Sequence, residues 1–260
     1  MKLLRSGMLA AMVLSAPAVA SSQEVAPFFE QARTVSYETY TDVNPELMNE
    51  YFEILVAKYQ GTDAPGWGLY RENSKVWYRI TPLPDGLQSL VDVQTARNRG
   101  SQEFNERQAE LFAQSWGTRH VALYNASPAM SVVPDDFSVA DIQELPYNRV
   151  TLYYLDWEKA GDFRAALRER SALDREAGID DFVLTAWNGG MGTPNHVVMV
   201  RVSAESSFAD QGANRDARRA ARASYSEEFQ RLSQAMSEAA YHIERHDQGR
   251  IARLSHSPGR

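Results

Sequence analysis

The chain has 260 residues, 43% of them hydrophobic and 23% charged, with a formal net charge of −7. That is enough apolar material for one large core or two modest ones, and it argues against global disorder. The acidic balance gives no electrostatic reason to seek nucleic acid or anionic lipid, and the absence of cysteine excludes disulfides and thiolate catalysis.

Residues 1–20 read as a secretory signal peptide. Lys2 and Arg5 precede an apolar run from Met8 to Leu14, and Ala18-Val19-Ala20 supplies small residues for cleavage after Ala20. The run is too short to cross a hydrocarbon layer of about 30 Å, so no membrane insertion is expected. Cleavage would remove two positive charges and take the formal charge from −7 to −9. The expected location is the periplasm or the medium, and residues 21–34 are a lead-in in which Phe28 and Phe29 pack.

A first unit spans residues 35–127. Val35 to Asp42 alternates and is rich in Tyr and Thr, as a strand does. Asn44-Pro45 opens a helix through Gln60, with Met48, Phe52, Leu55, Val56 and Tyr59 at helical spacing. Trp67 to Asn73 and Val76 to Leu83 form a hairpin on a short turn. A helical pattern from Leu87 to Trp116, with Gly100 as its break, leads to the strand His120 to Asn125. Residues 128–148, with Pro128, Pro134 and Pro146, read as a linker. The second unit, 149–258, runs strand Val150 to Trp157, helix Gly161 to Ala177, strands Asp181 to Trp187 and His196 to Ser203, a long helix within Phe208 to Glu244, and strand Arg250 to His256. Asn188-Gly189-Gly190-Met191-Gly192 reads as a flexible hairpin loop.

The units echo one another. Val35 to Asp42 returns as Val150 to Trp157, and Trp67 to Asn73 as Phe182 to Asn188, both about 115 positions on. Val76 to Thr81 returns as Val198 to Ser203 about 122 positions on, and Val121 to Pro128 as Ile251 to Pro258 about 130 on. Each copy therefore reads β-α-β-β-α-β, the ferredoxin-like unit with both helices on one face of an antiparallel sheet. In this order and repetition the chain resembles the tandem, fused form of the dimeric α+β barrel superfamily. The fold class expected is α+β, two ferredoxin-like units packed as a pseudo-dimeric barrel. The resemblance implies a cavity that hosts oxygen chemistry on aromatic compounds, isomerisation or haem, the last with His120 as axial ligand. The residues themselves call for no cofactor.

Period-two alternation separates the faces of each strand. Val76, Tyr78, Ile80 and Val198, Val200, Val202 are apolar in both copies and are assigned to the helix-covered face. The inner face then carries Trp77, Arg79, Met199 and Arg201. First strands add Glu38, Tyr40, Tyr153 and Trp157, second strands Tyr70 and Trp187, and fourth strands His120, Tyr124, Leu254 and His256. Such a lining suits a flat small-molecule ligand, with Arg79 or Arg201 gripping a carboxylate and the rings stacking. The same residues also fit a closed interface in which Glu38 neutralises Arg79. His242 and His246 sit at i and i+4, which a continuous helix would align, but they are placed at a helix end where histidine favours the dipole and solvent. No histidine pair comes with an acidic partner at metal spacing, so no metal is expected. Three functions stay open: an exported binder of a small aromatic or carboxylated molecule, a cofactor-free or haem-assisted oxygenase-type enzyme, and a non-catalytic cell-envelope interaction protein.

Overall fold

A computed structural model describes residues 26–62, 64–179, 182–194, 196–205 and 212–257. The leader expected at residues 1–20 lies outside them. Pro27 opens a short helix, α1 (Pro27–Gln31), that buries Phe28 and Phe29. Strand β1 (Thr34–Thr41) follows. Asn44 caps α2 (Pro45–Tyr59) by accepting from the backbone N–H groups of Glu46 and Leu47 at 3.2 and 3.4 Å. The hairpin is β2 (Gly68–Arg71) and β3 (Trp77–Leu83). The long helical pattern splits into α3 (Leu87–Gln102) and α4 (Glu106–Gln114), because Asn105 and Gln108 form a capping box that restarts the helix beyond Gly100. Strand β4 (Thr118–Ala126) completes a sheet ordered β4-β1-β3-β2.

Residues 128–148 are tied down rather than loose. Helix α5 (Val139–Glu144) buries Ile142 and Gln143, and Val132 pairs with Leu184. The second unit contains β5 (Tyr147–Leu155), α6 (Ala160–Glu176), β6 (Val183–Gly189), β7 (Val197–Ala204), α7 (Gly212–Ala221), α8 (Ser226–Glu238) and β8 (Ala240–Arg250). Its order, β8-β5-β7-β6, repeats that of the first. The last strand is therefore not Arg250 to His256. That segment instead tucks beneath the first unit, where Leu254 is fully buried and His256 bridges to Trp67.

The two sheets join edge to edge. Tyr70 and Arg71 of β2 pair with Arg250 and Gly249 of β8, and β4 pairs with β6 through Tyr124↔Gly189, Asn125↔Asn188 and Ala126↔Trp187. The result is a closed, antiparallel eight-stranded barrel whose interior is lined by the faces that no helix covers. The glycine loop after β6 is not a free hairpin: Leu123 donates to Met191 O at 2.8 Å and Gly190 donates to Leu123 O at 2.9 Å, extending the β4 seam. Gly192 sits at φ +79 with its Cα against the Val121 carbonyl.

Strand register corrects half of the face assignment. Tyr37 pairs with Ile80, and its counterpart Leu152 pairs with Met199, so Ile80 corresponds to Met199. The Val76 echo is slipped from that match by an odd number of residues, which exchanges the two faces. Met199 and Arg201 do face the interior, and Val198 and Val200 pack under helices. In the first unit the order is reversed: Tyr78 and Ile80 line the interior, while Trp77, Arg79, Glu38 and Tyr40 face the helices.

Candidate functional site

The barrel interior is a packed core. Tyr37, Tyr78 and Tyr124 meet with ring centroids 5.5 and 6.1 Å from Tyr37, and Met199 and Trp187 fill the space beside them. Burial pushes all three phenols well above their ordinary pKa. Helices α1 and α5 stopper one end, with Phe28 set edge-on to Trp187 at 6.0 Å. Of the residues assigned to an inner face, Tyr70, Tyr124, Trp187, Met199 and Arg201 lie in this core, and His120 sits exposed at the rim in the same register. Tyr153 does not: it packs under α6 against Phe163 at 4.9 Å. Trp157 is 69% exposed on the surface. His242, Glu244 and His246 alternate along β8, not on a helix. Glu244 bonds to Tyr154 and His242 at 3.0 and 3.1 Å, and His246 bonds to Tyr78 and Glu72. No group of three metal-ligating side chains among the described residues could hold an ion.

Open space lies on the other side of the first sheet, beneath α2, α3 and α4. A cavity of about 160 Å³ is floored by Tyr40, Arg79, Thr81 and Arg119 and walled by rings that include Tyr51, Trp67 and Trp116. The sequence leaves this gap because α3 is a polar helix. Among its described side chains only Val93 is buried, and Leu87 and Val91 are 59% and 56% exposed. The second unit closes the same space with Phe163, Leu167, Leu232 and Met236 over Val198 and Val200.

Glu38, on the central strand and with no exposed surface, organises the floor. Arg119 reaches its Oε2 with Nε at 2.9 Å and a terminal nitrogen at 2.8 Å, and the Tyr40 hydroxyl donates to the same oxygen at 2.8 Å. Burial works to lower the Arg119 pKa, but the Glu38 charge and hydrogen bond outweigh it and leave the group raised. Arg79, across the strand from Glu38, lays its guanidinium 4.5 Å from the Trp67 ring centre. Arg119 thus pairs with the buried carboxylate, and Arg79 stands across the strand from it. Thr81 and its cross-strand neighbour Ser36 are 0% and 1% exposed, and their hydroxyls have no hydrogen-bond partner. A buried hydroxyl without a partner is costly unless something else occupies the space. Pro65 and Val93 also border a wider recess of about 540 Å³ near α5.

Glu38, Tyr40 and Arg79 from the expected set therefore meet here, with Trp77 buried in the same cluster. Arg119, Ser36 and Thr81 were missed. Pairing arithmetic had a signal for Arg119, since a buried Glu38 needs a cation and β4 offers one opposite Tyr40. The residues present do not fit a haem: no histidine lines the cleft, the cavity is sized for a single ring, and the second unit's equivalent is filled.

No protein-family model and no curated relative matches the sequence. Among solved structures the chain is similar to a candidate monooxygenase from Lactobacillus acidophilus, at 10% identity and TM-score 0.55, covering 84% of this chain and 94% of that one. An anthrone oxidase-like protein matches at 12% identity and TM-score 0.56, covering 85% of this chain and 93% of its own. A candidate monooxygenase from Fusobacterium nucleatum matches at 10% identity and TM-score 0.52, with coverage of 85% and 93%. These are likenesses of fold.

Proposed function

From the dimeric α+β barrel fold that these structures share with the chain, we propose that it binds a small anionic aromatic molecule in the cleft of its first unit. The observation that carries this is the floor: Arg79 and Arg119 over one buried carboxylate, beside the partnerless Thr81 hydroxyl, within aromatic walls. A carboxylate or phenolate is the charge complement of these guanidinium groups and an acceptor for the Thr81 hydroxyl, and the rings receive the flat remainder. A cavity near 150 Å³ is known to admit a benzene ring, so about 160 Å³ suits one ring with one charged substituent. The packed barrel interior meets the sealed-interface expectation of a purely structural role, but the polar cleft outside it favours a ligand.

Calorimetry with benzoate and 4-hydroxybenzoate, against benzyl alcohol as the neutral match, tests the idea. The anions should bind at least tenfold more tightly, and Arg79→Gln should abolish the preference. Equal binding of the neutral analogue, or no binding of either anion, sinks it. Oxygenase-type chemistry on such a ligand is the second reading, favoured by the names borne by the three similar structures. It predicts oxygen uptake with electron-rich hydroxyaromatics that is lost in Arg79→Gln. Export is the accompanying proposal, resting on the leader-like residues 1–20 and the cysteine-free composition. A mature protein whose mass starts at Ser21 in the extracytoplasmic fraction is its expected outcome.

A further inference from the structure

The stoppered end of the barrel holds a second, unrelated oddity. Arg201 is 4% exposed, deep among apolar side chains, and a guanidinium keeps its charge in any protein environment. Its partners are neutral: Nε donates to Asn148 Oδ1 at 2.9 Å and a terminal nitrogen donates to the Tyr70 hydroxyl at 3.0 Å. Among the described residues no carboxylate pairs with it; the acid at this end, Glu144, lies 4.0 Å from Arg250. Arg250 itself stands on the interior register, opposite Tyr70. A buried charge without a counter-charge is among the most costly features a fold can carry.

Next to Arg201 is a void of about 20 Å³ bordered by Tyr70, Gln143, Ile80, Trp187 and Phe28. That is room for about one water-sized or slightly larger sphere. Asn148, fully buried and bonded to Arg201, has an amide nitrogen with no partner. We infer that this void binds a monovalent halide, held by Arg201 beneath α1 and α5. A neutral water fills the volume but leaves the charge uncompensated. A chloride-sized ion supplies the missing charge, and its weak hydration suits walls that, apart from Gln143 and the Tyr70 hydroxyl, are aliphatic and aromatic.

The experiment compares thermal unfolding in sodium bromide and in sodium gluconate at equal ionic strength. The midpoint should rise saturably in bromide, by about 3 °C, while gluconate is too large to enter. Arg201→Met, which keeps the length and removes the charge, should lose the halide-specific rise and should be no less stable than the parent in gluconate. Anomalous scattering from bromide-soaked crystals of the unaltered protein should place one peak between Arg201 and Tyr70, a readout that stands even if the variant does not fold. Identical midpoints in the two salts, or density showing water only, overturns the inference.

Discussion

Glu38 joins three roles at one atom: its Oε2 accepts from Tyr40 and twice from Arg119, while Arg79 stands across the strand. Removing one partner of such a buried pair strands the other, so Arg119→Ala should lower stability by about 3 kcal/mol in urea unfolding. The double variant Glu38→Leu, Arg119→Leu should recover most of that loss. The interior phenols make a second prediction. An unfolded tyrosine ionises near pH 10, whereas Tyr37, Tyr78 and Tyr124 hold their protons higher because burial disfavours phenolate. Their contribution is therefore fully present below pH 10 and lost as pH rises above it, at about 1.4 kcal/mol per unit for each group. Tyrosinate absorbance should stay silent for these three until the protein unfolds. At this scale the sequence grouped Glu38, Tyr40 and Arg79 on one face but assigned that face to the interior, whereas it lies beneath the helices. It missed Ser36 and Thr81, because hydroxyl residues in strands are usually read as strand formers rather than as vacant ligands.

Element order was readable because each copy keeps the same succession of periods, alternating in Val35 to Thr41 and helical from Met48 to Leu55. Two elements resisted. Strand β3 is buried on both sides, with Trp77 toward the helices and Tyr78 toward the interior, so alternation gives no clue to which face is which. Strand β8, from Ala240 to Arg250, carries polar residues on both faces because its outer side meets water and its inner side forms the rim, and such a strand mimics a solvated helix. The glycine loop after β6 reads in sequence as a flexible hairpin loop, yet it is part of the seam. Gly192→Ala would drive a methyl into the Val121 carbonyl at a positive φ, and should cost about 2 kcal/mol. Hydrogen exchange should show β4 and β6 losing protection together.

The halves share a barrel core drawn from seven strands of both units, with Gln248 of the eighth bonded to the Tyr37 hydroxyl, so neither has a complete interior of its own. Unfolding should accordingly be one cooperative transition, with near- and far-ultraviolet circular dichroism coincident. Two separated transitions would mean the halves are independent. Duplication was visible in the sequence, but not which copy keeps its cleft. That depends on Arg79 and Thr81 standing where Val198 and Val200 stand in the other copy, and Ser36 and Glu38 where Thr151 and Tyr153 stand, a comparison that only the correct register allows. The barrel closes through only two short seams, β2 with β8 and β4 with β6. Both seams are indifferent to whether their strands belong to one polypeptide. Two molecules refolding at high concentration can trade C-terminal halves and remake every bond, so an intertwined dimer is the natural misassembly of this architecture.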